Sequence, residues 1–177
     1  TDTGIDEEGR KYAIRKKRIY ANPERIEAIS KFAAKRLVTA VYPNIRGTAK
    51  AMLAASSIPA AIKYKGFIKK YFNELVQEQR YERFREAPIY IVYSDSQDHI
   101  SSNSLNDGLS EKSVLQNFKL AKNGLIIVVD KLQTGFDEPK LHTLFLDKEI
   151  RGINAIQTIS RVNRTAKYKN DCKIVDF

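Results

Sequence analysis

The chain has 177 residues, 42% of them hydrophobic, enough for one α/β domain with a substantial core and typical of a soluble globular protein. No apolar run approaches the ~20 residues that span a bilayer, and the N-terminal "TDTGIDEEGRKYAIRKKRIY" has no signal-peptide-like apolar segment, so no membrane partner is expected. A single cysteine, Cys172, excludes an internal disulfide framework and suits a reducing cytoplasm, and two histidines with one cysteine leave too few ligands for a Cys/His zinc site. The 31 basic and 21 acidic residues give a net charge of +10, which suits a polyanion, most often nucleic acid; the charge separates neither DNA from RNA nor a binder from a merely basic protein.

Residues 1–21 read as a linker leading into the domain, and the run Arg15 to Arg18 as a solvated basic face, with a phosphate contact as the alternative. "NPERIEAISKFAAKRL" predicts a helix capped by Asn22, with Pro23 in its first turn and Ile26, Ile29, Ala33 and Leu37 as its apolar stripe. "AMLAASS" (51–57) reads as a buried strand entering a turn. Pro59 then opens a helix to about Gln79. Ala61, Tyr64, Ile68, Tyr71 and Leu75 form its inner face, and the tyrosines read as core-edge packing rather than base-stacking platforms. "PIYIVYS" (88–94) is a second strand. Ser94 to Ser110, rich in Ser, Asn and Asp, reads as a mobile loop. A helix near 111–122 leads to "GLIIVVD" (124–130), and further strands follow at "HTLFLD" (142–147) and "CKIVDF" (172–177).

Continuous apolar strands separated by helices predict a mainly parallel sheet of about five or six strands, with helices on both faces. Residues 22–177 are assigned to this α/β domain. The chain stops in or just after its last strand, which reads as a fragment of a larger polypeptide.

Two segments carry candidate chemistry. In parallel α/β sheets functional loops gather beyond the C-terminal strand ends, where "TGFDEP" follows "LIIVVD". Gly135 permits close backbone approach, Asp137 can accept from ribose hydroxyls and Thr134 can donate to a phosphate; alone, the hexapeptide reads equally as an ordinary turn. In "NAIQTISRVNRT" (154–165), Gln157, Arg161 and Arg164 fall within a stripe of roughly 60° if the segment is helical to Arg164. Ile156, Ile159 and Val162 would then face a core. Two arginines on one face suit bidentate phosphate contact, and an arginine finger at a terminal phosphate is the functional reading. The bland reading is a salt-bridged exposed face.

In this order the segments resemble motifs V and VI of superfamily 2 helicases: "TGFD" for motif V, and "QTISRVNR" for a motif VI of the form Gln-x-x-Gly-Arg-x-Gly-Arg. Ser160 and Asn163 occupy the glycine positions. "TGFDEPKLHTLFLDK", "QTISRVNR" and "KIVDF" resemble more narrowly the motor (R) subunit of type I restriction-modification enzymes. "KAMLAASSIPAAIKYKGFIKKY" is similar to that family's motif IV region, with Ser56 and Ser57 at the strand end. Val129 and Ile58 depart from the pattern, where a hydroxyl and an arginine are usual. The resemblance extends from about Asn22 to the end and is strongest from Leu125.

The resemblance implies the second RecA-like lobe of a double-stranded DNA translocase, a three-layer domain within an ATP-dependent type I endonuclease of a bacterial or archaeal cytoplasm. It implies Arg164 as the finger on the ATP γ-phosphate, Arg161 beside it, and Gln157, Gly135 and Asp137 on the nucleotide side. Thr134, Ser56 and Ser57 would lie along the DNA backbone. There is no G-x-x-x-x-G-K-[ST] and no Asp-Glu pair after a strand. ATP and Mg²⁺ are therefore expected to be held mainly by a first lobe, with no cofactor or metal bound tightly here and the isolated chain inactive. The implied partners are duplex DNA, the first lobe and nuclease domain of the same polypeptide, and the modification and specificity subunits. Alternatives are a second lobe of a type III restriction or repair helicase, or a non-catalytic nucleic-acid-binding module. No G-x-G-x-x-G follows a strand, which argues against a dinucleotide-binding domain.

Overall fold

The computed structural model describes residues 6–131 and 136–177. In chain order the elements are α1 (Glu7–Ala21), α2 (Pro23–Arg36), a π-helical turn (Leu37–Val41), α3 (Asn44–Gly47), β1 (Lys50–Ala55), α4 (Ile58–Leu75) and a 3-10 helix (Gln79–Phe84). Then follow β2 (Ile89–Val92), α5 (Ser102–Leu105), α6 (Glu111–Leu120), β3 (Leu125–Val128), β4 (Leu141–Asp147), α7 (Gly152–Ser160) and β5 (Lys173–Asp176). The five strands form one sheet of order β2-β3-β1-β4-β5, parallel at every pairing. The expected architecture is present, with β1 at its centre.

Side-chain alternation along β1 divides the core into two layers. Ala51, Leu53 and Ala55 pack with Ile26 and Ala33 of α2 and Tyr64 and Ile68 of α4. Met52 and Ala54 pack on the other face with Val114 and Phe118 of α6 and with Val162. Ile26 and Ile68 are fully buried, and such a side chain contributes about 1.5–3 kcal/mol. No helix among the described residues is long and apolar enough to cross a membrane.

Local chemistry sets the helix boundaries. Asn22 ends α1 with its backbone N–H on the Ile19 carbonyl and opens α2 with its side chain accepting from the N–H groups of Glu24 and Arg25. Residues 7–21 are helical rather than linker-like, yet none is buried. α4 begins at Ile58 and ends at Leu75, short of Gln79, and a 3-10 helix follows. The 94–110 segment contains α5, and its buried Asn106 extends the edge of β2: the side chain accepts from the Ile91 N–H (3.0 Å) and donates to the Ile91 carbonyl (2.6 Å).

Two polar contacts fix the ends of the central strands. Asp147, fully buried at the end of β4, accepts from both terminal nitrogens of Arg25 (3.1 and 2.6 Å) and from the Tyr64 hydroxyl (2.5 Å), joining α2 and α4 to the strand end. Lys50, buried at the start of β1, donates to Glu138 (2.9 Å) and to the Lys119 carbonyl (3.0 Å). Burial pulls the Lys50 pKa down, with Glu138 opposing.

In the turn that precedes β1, Ile45 and Arg46 both adopt φ 54°, strained for residues with side chains. The Asn123 side chain secures this turn by donating to the carbonyls of Tyr42, Gly47 and Ala49. Nearby, buried His142 meets Asp171 at 3.0 Å. His142, then Lys173, holds the Asp171 carboxyl below its ordinary pKa. A depressed folded-state carboxylate contributes stability above its unfolded pKa, about 4, and loses it as pH falls through the lower folded value. Asp171→Asn should therefore lower Tm above pH 5, with the difference from wild type closing in stronger acid. A difference independent of pH in thermal scans would refute the linkage.

Candidate functional site

The parallel strands bring several candidates to one end of the sheet. A cleft of about 860 Å³ lies over the C-terminal ends of β1, β3 and β4, lined by Ser56, Asp130, Lys148, Arg151, Asn154 and Gln157 among others. Ser56 and Gln157 were legible as candidates; Lys148, Arg151 and Asn154 were not. Lys148 and Asn154 lie at the ends of the quoted segments without an assigned role and Arg151 lies in neither; the three meet because β4 ends beside β1. Lys148 pairs with Asp130 and Arg151 with Glu149, so the cleft wall carries both signs of charge. Asp130, just beyond β3, takes φ 49°.

Ser57 is the N-cap of α4. Its side chain accepts from the Ala60 N–H (3.2 Å), leaving its hydroxyl proton available to donate. Thr134 and Gly135 lie outside the described residues.

The segment read as a helix through Arg164 is shorter. α7 ends at Ser160, Arg161 is its C-cap, and Arg164 lies beyond the helix. The single helical stripe of Gln157, Arg161 and Arg164 is therefore not formed. Nor is α7 held to the core by the expected isoleucines: Ile156 is 70% and Ile159 40% exposed, as is Ile153 at 73%. Thr158 and Val162 are the buried residues there, and Thr158 returns its hydroxyl to the Asn154 carbonyl at 2.6 Å.

The turn after α7 still brings both arginines to the loop after β3. Arg161 is half-buried and donates to the Phe136 carbonyl (2.7 Å). Burial, then the like charge of Arg164, lowers its pKa, with Asp137 opposing; an arginine remains cationic. Arg164 is exposed and lies 3.5 Å from a carboxylate oxygen of Asp137, also exposed. The sequence singled out Lys169 in no way. Its ammonium donates to the carbonyls of Val162 (2.7 Å), Leu141 (2.9 Å) and Pro139 (3.0 Å), tying the arginine turn to the segment after Glu138. Burial lowers the Lys169 pKa. An exposed fork, Arg164, thus projects from a turn fixed by Arg161 and Lys169. A guanidinium held by one long contact in water can exchange that partner for a phosphate.

Comparison with known proteins gives the class first. The chain has a RecA-like fold; over 93% of its length it superposes on 27% of the crystal structure of T4 UvsW, with a TM-score of 0.56 at 19% identity. Residues 108–177 match the family model of type I restriction enzyme subunit R domain 3. A putative type I restriction enzyme MjaVIIP endonuclease subunit of Methanocaldococcus jannaschii is 28% identical, covering 94% of this chain and 16% of the relative. The type I restriction enzyme HindI endonuclease subunit of Haemophilus influenzae is 31% identical over 72% of this chain and 12% of its own length. The chain thus resembles a helicase-like domain of a type I restriction enzyme R subunit, and it spans a small part of those relatives.

Proposed function

We propose that this chain is the second motor lobe of an ATP-dependent double-stranded DNA translocase within a type I restriction endonuclease, working in the cytoplasm. The observation that carries the reading is Arg164, exposed and loosely paired with Asp137 on a turn pinned by Arg161 and Lys169. A cation presented this way can reach a phosphate on a facing lobe while its own backbone stays fixed.

Arg164 is the finger residue in this reading, and Arg161 sits beside it, holding the Phe136 carbonyl. Asp137 would release Arg164 when a phosphate replaces it. Gln157 and Ser56 share the cleft and would link the nucleotide side to the DNA backbone, with Ser57 donating from its cap position. ATP with Mg²⁺ would favour closure of the lobes, and cleavage of its phosphoanhydride would release them. This chain fits only the arginine side of that site. Backbone contacts carry no base specificity, so site recognition falls to a specificity subunit, beside the modification subunit and the nuclease domain of the same polypeptide.

The test is DNA-stimulated ATP turnover by the complete polypeptide, wild type against Arg164→Ala. Loss of turnover with ATP still bound supports the reading. Unchanged turnover overturns it.

A further inference from the structure

Helix α1 has no buried residue, although it is 15 residues long. Its cause is local: Asp6 caps it by accepting from the Gly9 N–H at 2.7 Å, Glu7 and Glu8 occupy its first turn, and Arg18 its last. Only Gly9, Lys16 and Tyr20 are half-buried, spaced 7 and 4 apart, which is one stripe of a helix. That stripe is the attachment. Lys16 pairs with Glu149, and the Arg25 guanidinium lies 5.3 Å from the Tyr20 ring centroid.

At about 100° per residue, Arg10, Arg15, Lys17 and Arg18 lie on the order of 100–160° from Lys16, on the half of α1 turned from the body. All four are exposed. Lys11 pairs with Glu7 at 2.8 Å; among the described residues no ion pair involves the other four. Position adds to charge. Glu149, which anchors α1, lies in the wall of the cleft that contains Ser56, Lys148, Arg151 and Gln157.

We propose that the outer face of α1 is a docking surface for the phosphate backbone of duplex DNA, extending the contacts of the cleft beyond the sheet. The inference rests on the reading of this chain as a DNA motor lobe. The helix is roughly 22 Å long, and a DNA strand presents one phosphate per about 3.4 Å of axis, so four cations along α1 match a rod of negative charge. A membrane fits less well, because a helix lying in a lipid surface needs a broad apolar face, and the exposed apolar residues of α1 do not share one: Ile14 lies roughly 140–160° around the helix from Tyr12 and Ile19.

The experiment measures binding of the complete polypeptide, without nucleotide, to duplex DNA lacking its recognition site, across a salt series. The variants are Arg10→Gln/Arg15→Gln/Lys17→Gln/Arg18→Gln, and a charge-retaining form with the three arginines changed to lysine. Each phosphate contact adds about 0.9 to the slope of log K against log salt. The neutralised form is expected to show a slope shallower by about 3.6 and affinity at 50 mM salt lower by about tenfold or more, while the lysine form keeps the wild-type slope. An unchanged slope in the neutralised form overturns the proposal, as does equal loss in both variants. Loss of the modification or specificity subunit with DNA binding intact would assign the face to an acidic protein surface and also overturn it. ATP turnover in Arg164→Ala tests the motor reading separately, because nucleotide-free binding does not use Arg164.

Discussion

Arg164→Ala in the complete polypeptide should lower DNA-stimulated ATP turnover by about 10³-fold or more and leave the stability of this lobe nearly unchanged. An arginine finger is worth roughly 10³–10⁵ in rate, because it neutralises charge that develops on the transferring phosphoryl group. The small cost to folding follows from the geometry. Arg164 and Asp137 are 46% and 54% exposed and 3.5 Å apart, and solvated pairs of this kind contribute about 0–1 kcal/mol. Arg164→Lys should recover only part of the rate, since an ammonium keeps the charge but loses the planar fork. Arg161→Ala should behave differently, losing activity and stability together, because Arg161 is half-buried and holds the Phe136 carbonyl at 2.7 Å. Turnover, ATP binding and thermal unfolding on the three variants separate these outcomes. Near-wild-type turnover in Arg164→Ala would return the arginine turn to a structural role.

The largest stability effect is expected at Glu138→Leu. Lys50 is 1% exposed and its ammonium meets Glu138 at 2.9 Å. Removing the carboxylate strands a buried cation, which costs about 3–5 kcal/mol. For a domain of this size that is a fall in Tm of about 6–20 °C. Lys50 bears the charge that is hard to bury, so Lys50→Met combined with Glu138→Leu should recover much of the loss; apolar replacements of buried pairs are often neutral. Glu138 also accepts from the Lys140 N–H at 3.1 Å, so the single variant should loosen the loop that carries Asp137. A Tm within about 2 °C of wild type, well below the fall such a stranded charge produces, would show that water reaches Lys50.

The parallel sheet, the α2 boundary and the approximate strand positions were legible because they depend on local information. Asn22 and Pro23 define a helix start through groups within three residues, and "LIIVVD" can be buried on both faces only inside a sheet. The motif residues were legible as types in order, but not their contacts: Arg164 lies 3.5 Å from Asp137, and Arg161 donates to the neighbouring Phe136 carbonyl. The local path of the chain was read incorrectly. Periodicity carried the α7 helix through Arg164, but helix ends depend on which backbone groups find other partners. Here Lys169 takes the Val162 carbonyl and Arg161 reaches Phe136, so the chain leaves the helix at Ser160. The outward isoleucines of α7 could not be foreseen, because amphipathicity states that a face is apolar and not whether anything in this chain covers it.

The remaining division has the same cause. Composition, caps and alternation act over a few residues, so by themselves they determined the α/β class, the parallel strands and the identities of the charged groups. Contacts between residues far apart in sequence exist only after the strands take their order. Tertiary structure therefore decided that Lys50 would be buried against Glu138, that Asp147 would lock α2 and α4 to the strand end, and that the basic helix α1 would stand beside the cleft with its cations facing outward.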